Sequence, residues 1–568
     1  MTNYQFTGGT ICAPATIPGT GAISIIRVSG KEALAIADKV IDTKGVPVAE
    51  TEGYRLRYGT VFEADGSVLD NVIVSVFRAP HSYTGENSVE ISCHASRFIV
   101  NKILELLVNA GARIAAPGEF TRRAFVNGKM DLAQAEAVAD VIASQSAASH
   151  RVAMNQLKGG FSSELKVLRE KLLTMTSLLE LELDFSEEDV EFASRKELGQ
   201  LVDDSLTHIG RLTASFSRGN AIKNGVPVAI VGATNTGKST LLNALLGEER
   251  AIVSDIAGTT RDTIEETLNI DGILFRFIDT AGIRETDETI EKIGIDRTFK
   301  KLGEAAVVLG MTDLSRGEAA VLEDADFILS KVNEMGGVKN VGTENDGSET
   351  GGTPPAGTGV AHPAETGGAS LAETDRTSRS ETGGTPLAET GGASQHGHGD
   401  GQERKVVILV NKCDVAGSFY RDDNGTGYGS GNDLGKNMAE IGGNKNVNHD
   451  NNIVSLIENK YDNCKVIPIS AKTGKGLSTL TKTLGEIGSE ITGSTDETLV
   501  TNVRHYEALV RAASALERVR AGLHIATLPP DLIAQDLREA LYHLGEIVGE
   551  ITTDETLGNI FRNFCIGK

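Results

Sequence analysis

The sequence predicts a multidomain α/β protein: an N-terminal α+β domain, a discontinuous α-helical domain, and a parallel-rich α/β sheet domain inserted into the helical one. Three observations predict it. From about 223 to 490, short apolar runs (VPVAIVGA, ILFRFIDTAG, AAVVLGMTD, KVVILVNKCD, KVIPISA) alternate with helical segments, as strands buried on both faces of a parallel sheet do. On either side, at 128–222 and 491–568, apolar residues recur at helical spacing with charges between them. Before these, residues 1–127 mix β-like runs with one helical stretch, and 568 residues are too many for a single core.

Within 1–127 the runs AISIIRVSG, NVIVSVFRA and NSVEISCH read as strands, and RFIVNKILELLVNAG reads as a helix. In 128–222, AQAEAVADVIASQ and SSELKVLREKLLTMTSLLELEL read as bundle helices. In 491–568, VRHYEALVRAASALERVR and PPDLIAQDLREALYHLGEIVG do the same, and these last helices are expected to pack on the first set. Two stretches interrupt the α/β region. Residues 342–402 are built mainly of Gly, Thr, Glu, Ser, Ala and Pro, with almost no large apolar residue and with threonines 350, 358, 366, 374, 382 and 390 on an eight-residue register. One apolar residue per unit is too little to stack, so this reads as a disordered insertion rather than a solenoid. A Gly/Asn-rich stretch at 416–452 reads as loop.

Charge narrows the function classes. Lys plus Arg number 55 against 78 Asp plus Glu, a formal net charge of −23, which argues against non-specific nucleic-acid binding by the whole surface but leaves room for a local basic patch. No run approaches the roughly 18 apolar residues of a membrane span, and MTNYQFTGG lacks the regions of a signal peptide. A cytoplasmic protein without stable membrane insertion is expected. Five scattered cysteines without a CxxC pair exclude a disulfide scaffold and point away from a Cys-rich zinc site.

The first α/β unit carries Gly232-Ala-Thr-Asn-Thr-Gly237-Lys238-Ser239 between the strand VPVAIV and the helix STLLNALLG, the context a P-loop requires. Its glycines let backbone N–H groups close around phosphates, Lys238 reaches the β/γ oxygens, and Ser239 ligates Mg²⁺ at the helix N-terminus. Asn235, Thr236 and Thr240 complete the loop. Asp279-Thr280-Ala281-Gly282 follows the strand ILFRFI, placing a carboxylate at a strand end where it can hold Mg²⁺ through water. Asn411-Lys412-Cys413-Asp414 and Ser470-Ala471-Lys472 end later strands. Asp414 can accept from both the ring N–H and the exocyclic amine of guanine, which adenine cannot match. The four motifs in this order resemble a Ras-like P-loop GTPase of the translation-factor class.

Ile283 stands where Ras-like GTPases carry the glutamine that orients the attacking water, and it cannot make that hydrogen bond. Asn235 together with Ser254-Asp255-Ile256-Ala257-Gly258-Thr259-Thr260 resembles the set of GTPases that bind a potassium ion, which supplies positive charge as an arginine finger does. Thr260 is the expected second Mg²⁺ ligand.

Four further stretches, PATIPGTGAISIIRVSG, SYTGENSVEISCHA, APGEFTRRAFVNGKMDLAQAEAVADVI and the terminal IFRNFCIGK, make the chain resemble the MnmE/TrmE family over essentially its whole length apart from the two insertions. The resemblance implies a folate-binding N-terminal domain that dimerises, a helical domain in two segments and an inserted GTPase domain. It implies folate contacts at Arg27, Glu90, Lys129 and Lys568, with Arg and Lys suited to carboxylates and Glu90 to ring N–H groups. Potassium ligands fall on Asn235, Ser254, Ile256 and Thr259, Ser254 standing where Thr is more usual. The water-positioning carboxylate falls on Glu291, with Lys238 and Thr260 beside it in the catalytic set, and Cys565 lies near the one-carbon donor.

The resemblance further implies K⁺, Mg²⁺, GTP as substrate and a 5-formyl- or methylene-tetrahydrofolate. Its partners would be a second copy, an FAD-dependent MnmG/GidA-type subunit completing a heterotetramer, and tRNA, whose wobble uridine (position 34) gains an aminomethyl or carboxymethylaminomethyl group at carbon 5. Arg504, Arg511, Arg518 and Arg520 offer a basic helix for the tRNA; their ordinary alternative is pairing with Glu507 and its neighbours. A ribosome-assembly GTPase would share the motifs but end in an RNA-binding module, and no GXXG loop or basic tail follows the α/β region. A scaffold using the nucleotide only as a structural switch would bind GTP without turning it over.

Overall fold

The structure is a computed structural model that describes residues 8–184, 194–249, 266–278, 305–334, 404–414, 453–461, 464–493, 497–523, 530–562, 564 and 567. The two insertions, at 342–402 and 416–452, lie outside the described residues.

The N-terminal region forms a seven-stranded sheet from β1 (Ile11–Pro14), β2 (Ile23–Ser29), β3 (Ile41–Asp42), β4 (Arg55–Phe62), β5 (Val68–Phe77), β6 (Ser88–His94) and β7 (Arg113–Ile114), in the order β3-β4-β5-β6-β2-β1-β7. Strict alternation in β5 turns Val72, Val74 and Val76 into the core, where helices Ala33–Val40 and Arg97–Asn109 cover them with Ile36, Ile103 and Leu107. The opposite face is open. It carries Ile23, Leu56, Tyr58 and Ile73, all exposed, on the same side as Arg27 and Glu90.

The helical part draws on both chain segments. Leu165, Leu172, Val202 and Ile209 from helices Gly160–Asp184 and Arg195–Ala214 share one core with Leu509, Leu516, Leu537 and Leu544 from helices Val503–Leu523 and Pro530–Val548. Helix Leu132–Ala143 starts at a capping box: Asp131 accepts from the Gln134 amide at 2.8 Å, and the Gln134 side chain accepts from the Asp131 amide at 2.9 Å.

The inserted sheet comprises β8 (Val226–Gly232), β9 (Glu266–Ile270), β10 (Ile273–Ile278), β11 (Val307–Asp313), β12 (Lys405–Asn411) and β13 (Cys464–Pro468), ordered β13-β12-β11-β8-β10-β9. Neighbours run parallel except β9, which is antiparallel to β10. Helices Lys238–Glu249 and Leu477–Thr492 cover one face, and Glu318–Glu334 and Ile453–Lys460 the other. Strand ends Gly232, Asp313 and Asn411 therefore meet at one edge, where open α/β sheets bind ligands.

Among the described residues, contacts at several places tie these units together, two of them near the sites. The Asn269 side-chain amide in the β9–β10 hairpin donates to the Gln145 carbonyl at 2.9 Å, linking the inserted sheet to the helical part. At the chain's end, Gly118 packs against Phe561 and Phe564, and Gly567 lies against the Pro14 carbonyl.

Candidate functional site

The P-loop is shaped by contacts that exclude side chains. A Cβ on Gly232 would stand 2.3 Å from the Met311 carbonyl oxygen of neighbouring β11, and one on Gly237, whose φ is +98°, would stand 2.4 Å from Asn411 Nδ2. Asn235 sits between them with φ +62°, a left-handed conformation that asparagine tolerates, and it is exposed at the loop tip. Thr236 Oγ1 donates to the Ala233 carbonyl at 2.9 Å, closing the loop. Lys238 curls over it, Nζ donating to the carbonyls of Gly232 at 2.9 Å and Ala233 at 2.8 Å, and burial pulls its pKa below the ordinary lysine range. Ser239 is half-buried and Thr240 exposed in the first turn of helix Lys238–Glu249, so two hydroxyls and the positive end of a helix dipole flank the loop. That donor set fits an Mg²⁺-bound polyphosphate at Ser239.

The base-reading motifs converge on the same edge, each side chain of the first pointing to a different element. Asn411 Nδ2 donates to the Thr236 carbonyl at 2.6 Å, and Asn411 Oδ1 accepts from the Ala471 amide at 3.0 Å. Lys412 has φ +64° and its Nζ lies 2.6 Å from Asp313. Asp414 Oδ1 accepts from Ser470 Oγ at 2.7 Å, a bond that orients the carboxylate at this edge of the sheet. The structure thus brings together Asn235, Thr236, Gly237, Lys238, Ser239, Thr240, Asn411, Lys412, Asp414, Ser470 and Ala471, with Lys472 exposed beside them. Ser254, Asp255, Ile256, Ala257, Gly258, Thr259, Thr260, Asp279, Thr280, Ala281, Gly282 and Glu291 lie outside the described residues.

In the N-terminal sheet, Arg27 and Glu90 are directly opposite on β2 and β6, with Arg27 Nε 2.9 Å from Glu90 Oε1. The Arg27 guanidinium stands 5.3 Å from the Tyr83 ring centroid and 5.6 Å from that of Phe120, and donates to the Gly567 carbonyl at 3.3 Å. Lys129 is exposed and donates to the Pro80 carbonyl at 3.1 Å. Lys568 and Cys565 lie outside the described residues, but Gly567 carries the chain's end to Arg27. A cation held between two aromatic rings and a carboxylate beside it suit a planar ring bearing an acidic tail, so these residues fit a folate.

The comparisons with known proteins decide the family. A model described as the GTP-binding protein TrmE N-terminus matches residues 10–129, and one described as the MnmE helical domain matches residues 132–565. The tRNA modification GTPase MnmE of Parabacteroides distasonis is 43% identical over 562 residues, covering 98% of this chain and 100% of the relative. That of Bacteroides thetaiotaomicron is 43% identical over 562 residues, with 98% and 99% covered, and that of Porphyromonas gingivalis 42% over 570, with 100% and 99% covered. The chain belongs to the MnmE/TrmE family. In this MnmE-family chain, the P-loop sheet lies in sequence between the two segments whose helices share one core.

One expectation for this MnmE-family chain is corrected. Arg504 is not part of an open basic face: it binds Glu136 at 2.9 and 3.0 Å and caps the carbonyls of Glu546 and Ile547 at 2.7 and 3.1 Å. Arg518 pairs with Asp536 at 2.8 Å and Glu539 at 2.6 Å, and Arg511 donates to the Glu507 carbonyl at 3.3 Å. Arg520 is 3.9 Å from Asp203. Acidic partners on other helices neutralise much of what the sequence presents as a basic stripe.

Sequence reasoning missed Asp313, although a strand-end carboxylate was the signal that singled out Asp279. It also missed Tyr83 and Phe120, which lie within the stretches SYTGENSVEISCHA and APGEFTRRAFVNGKMDLAQAEAVADVI but were given no role there. The four described cysteines, Cys12, Cys93, Cys413 and Cys464, are buried free thiols, and burial pushes each pKa up to about 11.

Proposed function

We propose that this protein is a potassium-activated GTP hydrolase of tRNA modification, working with an FAD-dependent MnmG/GidA-type subunit to add an aminomethyl or carboxymethylaminomethyl group at carbon 5 of wobble uridine 34. The observation that carries the reading is Asp414, oriented by Ser470 at 2.7 Å beside a P-loop that Asn411 ties to the same edge, in a chain whose MnmE-family likeness runs its full length. The ribosome-assembly alternative has no such support, because the matches extend to both regions flanking the inserted sheet.

In this reading GTP displaces Lys238 from the Gly232 and Ala233 carbonyls, and its ammonium moves to the β/γ oxygens. Ser239 and Thr260 would hold Mg²⁺, and Asn235 with Ser254, Ile256 and Thr259 would hold K⁺; bound there, the ions would supply positive charge against the transferred phosphoryl group. Glu291 orients the attacking water that Ile283 cannot. The hairpin that links β9 to β10 follows the Ser254–Thr260 stretch and precedes Asp279, so its bond from Asn269 to Gln145 carries nucleotide state toward the helical domain.

Arg27, Glu90, Lys129 and Lys568 bind a 5-formyl- or methylene-tetrahydrofolate that supplies the carbon, with Cys565 beside it. The open face of the N-terminal sheet, with Ile23, Leu56, Tyr58 and Ile73 exposed, fits a second copy in a homodimer that the flavin-bearing subunit completes as a heterotetramer. No helix among the described residues is long and apolar enough to cross a membrane, and we place the protein in the cytoplasm with its tRNA. The test is reconstitution with unmodified tRNA, the flavin subunit, methylene-tetrahydrofolate, GTP, KCl and ammonium or glycine as the nitrogen source, read by nucleoside mass spectrometry. Modified uridine that requires GTP and K⁺ is expected; GTP turnover with unchanged nucleosides would overturn the reading.

A further inference from the structure

Asp313 closes strand β11 and belongs to none of the nucleotide motifs, yet its side chain is only 7% exposed at the ligand-binding edge of the sheet. It is paired in register with Asn411 on β12. One carboxylate oxygen accepts from the Ser315 amide at 3.0 Å and from Ser315 Oγ at 2.6 Å; the other accepts from Lys412 Nζ at 2.6 Å. Burial works to raise its pKa, but the bonds from Lys412 and Ser315 outweigh burial and hold the carboxyl below the usual carboxylate range. At neutral pH Asp313 is a fixed anion.

Lys412 stands between the two residues whose directions matter most, and it adopts a φ of +64° that a residue with a Cβ rarely takes. Asn411 is held by Thr236 and Ala471, and Asp414 by Ser470. Asp313 supplies the missing anchor for the residue between. With its ammonium clamped and its side chain 34% exposed, the Lys412 stem presents methylene groups at the mouth of the site, the kind of surface on which a purine ring lies.

We infer that Asp313 is a positioning residue of the guanine subsite, fixing Lys412 and through it the turn that aims Asp414. The inference rests on the GTP-binding reading above and deepens it. Asp313 does no chemistry on the phosphates, so its loss weakens nucleotide binding without slowing the saturated enzyme.

The experiment compares full-length wild type with Asp313→Asn, Lys412→Met and the double variant, by equilibrium titration with a fluorescent GDP analogue and by GTP kinetics in KCl. Thermal melts confirm folding, and Asp313→Glu, which keeps the charge, provides a second variant. Each single change is expected to raise Kd and KM about tenfold with kcat within about twofold. The double variant is expected to be no worse than either single, because both remove the same contact, and Asp313→Glu to recover part of the loss. Unchanged KM in Asp313→Asn, losses that multiply in the double variant, or a fall in kcat alone would overturn the assignment. A wild type that fails to bind GDP would overturn the nucleotide reading and this inference with it, whereas normal wild-type binding with an insensitive Asp313 overturns this inference alone.

Discussion

Asn411 Nδ2 donates to the carbonyl of Thr236 across 2.6 Å, so the strand that reads the base is bonded directly to the loop that holds the phosphates, 175 residues earlier in the chain. The same amide accepts from Ala471 through its oxygen, and the whole side chain is buried. Base recognition and phosphate binding therefore share one side chain.

Replacing it tests that link. Asn411→Ala leaves the Thr236 carbonyl and the Ala471 amide buried without this partner, each at a cost of roughly 1–3 kcal/mol. We expect GDP affinity to fall by at least about tenfold, measured by titration with a fluorescent analogue. Unchanged affinity would mean that the two halves of the site are independent.

Acid sensitivity should trace to Glu136. Burial alone would raise its pKa, but His505, at 2.6 Å, and Arg504 overcome burial and lower it from 4.5 to about 2. A carboxylate with a depressed folded pKa contributes stability in full above about pH 4.5, and that contribution drains away as pH falls toward 2. Its size is on the order of 3 kcal/mol. Urea melts between pH 7 and pH 2.5 should show this decline. In Glu136→Gln the decline should flatten, and stability at pH 7 should drop by about 3–5 kcal/mol because Arg504 is left uncompensated.

The chain's end should matter to folate and not to GTP. Gly567 has φ +97°, and a Cβ there would meet the Pro14 carbonyl oxygen at 2.0 Å. Gly567→Ala is expected to displace the tail from Arg27 and weaken tetrahydrofolate binding by roughly tenfold or more, with GTP turnover within about twofold. Calorimetric titration with a tetrahydrofolate checks the first and phosphate release the second.

The hairpin bond should transmit rather than catalyse. Asn269→Ala removes the donor to Gln145 and the acceptor of the Gly272 amide, 3.1 Å away. GTP turnover should persist while uridine modification per GTP hydrolysed falls several-fold; a parallel loss of both would assign Asn269 to the nucleotide site instead.

Much of this architecture was legible because burial writes itself into sequence. β8, β11 and β12 are covered on both faces and read as apolar runs, and β10 and β13 do so with one charged residue each, Arg276 and Lys465, whereas β9, with only Leu268 and Ile270 buried, is too short and polar to stand out. β4 was hidden for another reason: its open face carries apolar Leu56 and Tyr58, while Arg55 and Arg57 lie on the opposite face, so the polar and apolar sides of the strand read inverted. Phosphate- and base-binding motifs were legible because their residues are contiguous. What escaped was pairing over long separations: Lys412 with Asp313, 99 residues apart, and Arg504 with Glu136, 368 apart. Arg504, Arg511 and Arg518 recur every seven residues and so resemble a solvent stripe, yet that line borders the helix face carrying His505, Ala512 and Val519 into the core.

The central claim is that this P-loop site turns over GTP with help from a potassium ion. Steady-state phosphate release by the full-length protein in KCl and in NaCl at equal ionic strength tests it most directly, because screening is matched and only the cation differs. The account predicts GTP turnover that is much faster in KCl and negligible with ATP in either salt; equal GTP rates in the two salts, or comparable hydrolysis of ATP, would contradict it.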